Sequence, residues 1–480
     1  MDIKIPLKTS LVLTAFLSYL FMAVSFPLTG HSDTKAHLDY AWQLSQGNTP
    51  DFYGGTTLPY NVRRSDIQFA AHHPPLYYKL IAPLVGYQIG NKHTFKEVVL
   101  GTRLVNILVS LATLILIAIY AKHLDIFKHH DFDIYFLITF AYFLPFAKVS
   151  SLVFNESLLI LLITIGWISS IKILKSGYNS AAFIMLLASS ALGLYTKVSY
   201  LPVLLLTLTL MYLGMIMSDQ DSRVTLSKLA KPTIPVVIII VSVILVTGWF
   251  YYGNYEQSGS FIRAAPQSWI ADYDHRRDYK SFQEVITNEK MWGFIITSSF
   301  FPGLDYIFRK NVIIAAIAGI NLIAYITSII YLLKGYRDNS IDSKRLMLSL
   351  AFLLSIVAVF LQMIIHATGY GAYNPRYLLP ALIAIAALIA SGLLKTPKID
   401  KYLICAYFLF GNMAVLGYIL YRNQALFHEF QWFQVFRFSA VIQQNQDLPA
   451  IFIDSILIAW PISIVISLIL LIKYFSYHER

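Results

Sequence analysis

Charge is what this chain has least of. Only 13% of its 480 residues are Asp, Glu, Lys or Arg, about half the share of a soluble domain. With 57% of residues hydrophobic, most of the molecular surface must face something other than water. Cysteine is almost missing. Cys405 stands alone in an apolar run, which excludes an internal disulfide and a cysteine metal cluster. Internal repeats and low-complexity tracts are missing as well. So is a basic domain: the net charge of +11 comes from lysines and arginines scattered between apolar runs. That distribution speaks against a nucleic-acid surface and suits cytoplasmic loops facing anionic headgroups.

What the chain has instead is apolar runs long enough to cross a bilayer, whose hydrocarbon core takes about 20 residues of helix. Residues 104–119, 236–250 and 455–472 are examples. The pattern predicts an all-α integral membrane protein, one bundle over 1–480, with about twelve transmembrane helices. The spans fall near 8–28, 97–119, 132–150, 152–174, 180–196, 199–217, 233–252, 312–334, 345–366, 377–394, 402–421 and 451–473. The first follows Lys4 and Lys8 and is long for a cleaved signal core, so it reads as an uncleaved anchor despite Ala23-Val24-Ser25. Residues 75–90 are apolar but short and open on two prolines; they read as re-entrant or interfacial.

Charge orients the bundle. With the N-terminus inside, the inner connections carry Lys122 and Lys128; Lys172 and Lys175; Arg223, Lys228 and Lys231; Lys334, Arg337, Lys344 and Arg345; and Lys395, Lys398 and Lys401. Lys473 and Arg480 follow the last span. The short outer connections hold Lys148, Lys197, His366 and Arg376. This is the positive-inside pattern. Counting 75–90 as a span would reverse every later loop and spoil it. Both termini are therefore expected inside. Three long loops, 29–96, 253–311 and 422–450, are expected on the non-cytoplasmic face, the last with Trp432, Phe433, Phe436 and Phe438 as a helix lying on the membrane. No soluble domain is expected after the last span.

The residues able to carry chemistry gather at that outer level. The first loop opens His31-Ser32-Asp33-Thr34-Lys35-Ala36-His37, followed by a short amphipathic helix with Leu38, Ala41 and Trp42 on one face and Gly47 as its stop. Asp33 and His37, four apart, share a face; equally, Ser32 or Asp33 would serve as an ordinary N-cap. His72-His73-Pro74-Pro75-Leu76-Tyr77-Tyr78 reads as a loop meeting the membrane, with its histidines also available to a metal beside Asp33. Asn155-Glu156 lies near the outer end of the fourth span, where an ionisable group is functional or paired. The sequon Asn155-Glu156-Ser157 lies in that apolar run and is not expected to be glycosylated. Lys197 and Arg376 either snorkel to headgroups or hold a phosphate at the membrane surface, for which a guanidinium is well shaped.

The acidic residue of the first loop, then HHPPLYY, RLVNILVSLATLILIAIYAKHL, FNES, LGLYTKVSYLP and NPRYLLPAL, in that order over about 8–395, resembles the GT-C superfamily of membrane glycosyltransferases. The style is that of the protein O-mannosyltransferase and aminoarabinose transferase group, glycosyltransferase family 39. The resemblance implies a sugar moved from a polyprenyl-phosphate carrier on the non-cytoplasmic face to a lipid, glycan or protein acceptor. It implies Asp33 as catalytic base and Glu156 as the acidic residue at the head of a later span. Lys197 and Arg376 would lie near the carrier phosphate. His37, His73, Tyr77 and Tyr377 would line the substrate, and a divalent cation, Mg or Mn, would be held by Asp33 and Glu156 if one is used. One departure stands out: the family often has Asp-Glu where this chain has Asp33-Thr34. A bacterial inner membrane with a periplasmic site is the expected setting. The competing expectations are a transporter or flippase of lipid-linked saccharides, and a GT-C-like scaffold without catalysis, which Thr34 keeps open.

Overall fold

The computed structural model describes residues 3–27, 32–60, 67–218, 226–262, 281–288, 312–338, 340–370, 375–396, 399–422 and 450–478. Most of the loops 253–311 and 422–450, including the expected surface helix around Trp432, lie outside the described residues.

Among the described residues the regular structure is all helical. In chain order the helices are α1 (Lys4–Ser25), α2 (Ser32–Ser45), α3 (Leu76–Gly90), α4 (Phe95–Tyr120), α5 (Phe132–Ala141), α6 (Leu144–Ser151), α7 (Glu156–Ser176), α8 (Ser180–Leu194), α9 (Leu201–Met217) and α10 (Leu226–Ser258). They continue with α11 (Phe282–Ile286), α12 (Val312–Arg337), α13 (Ser343–Tyr370), α14 (Leu382–Leu393), α15 (Asp400–Arg422) and α16 (Ala450–His478). Ten helices are long and apolar enough to cross a membrane, or eleven if the bent pair α5–α6 is one span. The expectation of about twelve is therefore close but not met by length alone. The remaining expected span, α8, has 15 residues, about 22 Å of helix against a hydrocarbon core of about 30 Å.

The third expected span is broken rather than straight. α5 and α6 meet at 58°, because Pro145 at the start of α6 cannot continue the hydrogen-bond ladder of α5. Elsewhere small residues let helices close on one another. A Cβ at Gly214 of α9 would fall 2.4 Å from the Leu174 Cα of α7, and one at Gly392 would fall on the Ala324 carbonyl of α12. Outward-facing Leu108, Ile184, Leu205, Leu245, Leu354 and Val465 are exposed, as lipid-facing positions should be. The chain is thus a multi-pass integral membrane protein.

The connections predicted to be basic and inner do gather at one end. Lys8 donates to the Ala118 carbonyl at 2.8 Å, Lys175 to His123 at 2.7 Å and Lys344 to Lys175 at 2.8 Å. The Tyr135 hydroxyl reaches Asp400 at 2.9 Å. Lysines at helix C-termini satisfy the orphan carbonyls there and oppose the helix dipole.

At the other end sit α2 and α3, a helical pair with its own small core of Leu38, Tyr40, Ala41, Tyr78, Ile81 and Val85 against Val98 and Val99 of α4. Residues 76–90 form α3, which lies packed on α2, with Tyr87 exposed. Gly47, at φ +80°, turns the chain after α2, as its sequence predicts.

Candidate functional site: a chain of four charges at the loop end

The site begins with how α2 is held. Arg103 of α4 is buried and donates to the carbonyls of Ala23 at 2.5 Å, Phe26 at 2.9 Å and Pro27 at 3.2 Å. It closes the C-terminus of α1 and fixes where the chain leaves for α2. Asp39, fully buried, then ties the rest of the loop to that helix. It accepts from the Thr57 amide at 2.6 Å, the Leu58 amide at 2.9 Å, Gln43 Nε2 at 2.7 Å and Gln68 Nε2. Neither residue was among the expected site residues. Arg103 did leave a signal, since an arginine inside an apolar span needs partners.

On this frame Asp33 is the second residue of α2, in its first turn. Its carboxylate is taken up in a contact distant in sequence: Arg376 Nη1 donates to Asp33 Oδ2 at 2.8 Å. Arg376 stands at the head of the 376–393 span and Glu156 at the head of α7. These are the two most buried spans, 89% and 83% inside the molecule, so both charges sit where the bundle is densest. Arg376 Nε lies 3.7 Å from Glu156 Oε1, and Lys197 Nζ lies 2.6 Å from the same oxygen. Lys197 also reaches Asn155 Oδ1 at 3.4 Å. Lys197, Glu156, Arg376 and Asp33 thus form a row of alternating sign and zero net charge.

Lys197 is 8% exposed. The headgroup-snorkelling alternative is not what the structure shows: the ammonium turns inward to Glu156. A buried ion pair needs close geometry and further hydrogen bonds to offset the desolvation of both charges, and Asn155 supplies one. Arg376 is further fixed by aromatic faces. Its guanidinium carbon lies 5.0 Å from the Phe154 ring and 5.6 Å from that of Tyr377, within cation–π range. Tyr377 in turn meets His366 edge-on at 4.8 Å.

The histidines form a neutral wall beside the row. His37 Nδ1 lies 2.8 Å from the Tyr78 hydroxyl, and its ring is parallel to that of His73 at 6.2 Å. Burial lowers the His37 pKa to about 4, against the opposing pull of Asp33 and Glu156, and burial also lowers that of His73. At neutral pH the positive charge here therefore comes from Lys197 and Arg376. Tyr77, expected against the substrate, is fully buried and packs edge-on against Tyr78 at 5.3 Å. Its neighbour Tyr78 is the one that touches His37. Adjacent tyrosines on a helix point about 100° apart, and the sequence alone did not fix the phase.

The Arg376 guanidinium contacts both Asp33 and Glu156, so a divalent cation held by the two would have to share that space. Among the described residues, the group of three ligand-type side chains close enough to share an ion is His129, His130 and Asp131, at the opposite end.

No family model and no curated protein matches the chain. The solved structures similar to it include two membrane enzymes. ArnT from Cupriavidus metallidurans, bound to undecaprenyl phosphate, is 12% identical with a TM-score of 0.48; the match covers 97% of this chain and 76% of ArnT. The Archaeoglobus fulgidus oligosaccharyltransferase, tethered to an acceptor peptide containing the NVT sequon, is 10% identical with a TM-score of 0.40. Here the match covers 91% of this chain and 55% of the other.

Proposed function

We propose that the chain is a GT-C-type glycosyltransferase that moves a sugar from a polyprenyl-phosphate carrier to a hydroxyl acceptor on the non-cytoplasmic face, with inversion. The observation that carries this is the meeting of Asp33 and Arg376, 343 positions apart, beside Glu156 and Lys197 at one end of an apolar bundle. Catalysis at a lipid phosphate needs a base at the acceptor and cations at the leaving group. Here Asp33 stands against Arg376, and Arg376 and Lys197 meet at Glu156.

The step balances simply. The acceptor oxygen bonds to the anomeric carbon, the bond from that carbon to the phosphate oxygen breaks, and the hydroxyl proton passes to Asp33. A carboxylate offers about four acceptor positions, so the bond to Arg376 leaves room for that hydroxyl. Charge growing on the departing lipid phosphate is met by Arg376 and Lys197, whose present partners are carboxylates it would displace. Neutral His37 orients Asp33 from one turn along α2. The acceptor is a lipid, a glycan or a protein, and the setting a bacterial inner membrane with the site in the periplasm.

A transporter of lipid-linked saccharides would share the bilayer and the lipid. The bent span α5–α6 suits such a reading, but the charged row stands at the heads of α7 and the 376–393 span, whereas transporters hold their ligands near the midplane. The deciding experiment is release of free polyprenyl phosphate from polyprenyl-phosphate sugars by purified protein in liposomes. Acceptor-dependent release is expected. Translocation of the intact sugar-lipid with no release would overturn the transferase reading.

A further inference from the structure

We propose that Asn155 and Glu156 form a subsite that reads a hydroxyl of the transferred sugar, a role that rests on the lipid-linked sugar reading above. Asn155 is fully buried and Glu156 2% exposed. The Asn155 amide is oriented without ambiguity: Lys197 Nζ, which can only donate, faces Oδ1 at 3.4 Å. The NH2 group is therefore turned away from Lys197, and it has no partner among the described residues. It also does not cap α7, although Asn155 is the N-cap residue. On Glu156 both cations share Oε1, and Oε2 has no partner among the described residues.

Two neighbouring residues thus present one unmatched donor and one unmatched acceptor, both desolvated. Such groups are rare and costly in folded proteins. A carboxylate can only accept, so no helix carbonyl can satisfy Oε2. Their combined polarity narrows the ligand. A lipid phosphate offers acceptors only and would sit against the Glu156 charge. A sugar hydroxyl, or a vicinal pair, accepts from Nδ2 and donates to Oε2 at once. The position beside Lys197 and Arg376 places this subsite next to where the carrier phosphate would sit.

Binding in nanodiscs separates these readings, with undecaprenyl phosphate and undecaprenyl phosphomannose as probes. The unmodified protein should bind the mannosyl lipid about ten-fold more tightly than the bare lipid, the size of one to two buried hydrogen bonds. Asn155→Leu should abolish that difference; because the variant also takes Oδ1 away from Lys197, the readout is the ratio of the two affinities rather than either one alone. Should Asn155→Leu fail to insert, Asn155→Ser shortens the reach of the same group and reads out the same difference. Persistence of the sugar-dependent gain in the variant would overturn the subsite and assign the two atoms to a buried water. Equal loss for both lipids would overturn it in favour of a phosphate contact, and equal binding of both lipids by the unmodified protein would remove it outright. If neither lipid binds the unmodified protein, the lipid-linked sugar reading fails and the subsite with it.

Discussion

Each end of the bundle holds a buried carboxylate between two cations, and the two are built differently. At the basic end Asp133 uses both oxygens: Oδ1 pairs with Lys4 at 2.8 Å and Oδ2 with Lys8 at 2.6 Å. The two lysines are one turn apart on α1, so a single helix face supplies both. At the loop end Glu156 gathers Lys197 and Arg376 on one oxygen from two separate elements, and leaves the other unmatched. The first arrangement is local, with a lysine within ion-pair distance of each oxygen, and acts as a staple between α1 and α5. The second is incomplete and is assembled from distant parts of the chain, and its arginine is shared with Asp33. What separates the two is how the cations are distributed: one on each oxygen at Asp133, both on a single oxygen at Glu156.

The largest effect should come from the member of the row that the staple lacks altogether. Asp33→Asn keeps the side-chain size but removes the proton acceptor. Sugar transfer should fall about 100-fold or more, the usual scale of a general base, while insertion and melting temperature stay near normal. Undiminished transfer by the purified variant would falsify the base assignment and return Asp33 to a helix-end role. Arg376→Lys should have a smaller effect of a different kind. It retains charge but not the planar fork that spans Asp33 and Glu156. The donor concentration for half-maximal rate should rise about ten-fold, with a lesser change in turnover. A pure turnover defect would argue that Arg376 does not meet the donor.

The staple supplies the contrasting variant. Asp133→Asn should lower the melting temperature by a few degrees, for a loss of about 1–2 kcal/mol, discounted because Lys4 and Lys8 are 22% and 20% exposed. Transfer per folded molecule should not change. If Asp133→Asn and Asp33→Asn were equally harmful to transfer, the distinction between the two ends would collapse.

How much of this could be read beforehand follows from what a charge looks like in an apolar sequence. Asp33, Glu156, Lys197 and Arg376 were legible because each marks the edge of a hydrophobic run, where an ionisable group is conspicuous. Their pairing was not, since nothing in the sequence says that the turn after α8 folds back onto the head of α7. Hence Lys197 read equally as a lipid anchor. Asp39 was invisible for the opposite reason: among the polar residues of a loop, an aspartate that organises the backbone looks like one that is merely solvated. The break in the third span did carry a signal, Pro145, outweighed by the unbroken hydrophobicity around it. Span order and the basic end were legible throughout, because bilayer thickness and the positive-inside bias act on the sequence directly.

The finest test of the contrast is the pH dependence of stability, because the loop end carries buried neutral histidine. The ordinary His pKa is 6.5, and burial brings that of His37 down to about 4 in the folded protein. Between those values the unfolded chain binds a proton at this position that the folded one does not. The stability His37 contributes is therefore fully present above pH 6.5 and is lost as pH falls from 6.5 to about 4. His37→Gln keeps a hydrogen-bonding group for the Tyr78 hydroxyl, which lies 2.8 Å from Nδ1, but cannot titrate. Melting temperature recorded from pH 7 to pH 4 should fall less steeply in His37→Gln than in the unmodified protein, by about one proton's worth of slope. His73, whose pKa burial also lowers, titrates in both proteins and cancels in the comparison. Parallel curves would mean that His37 is already solvated in the folded state, and that the wall beside Asp33 is open to water.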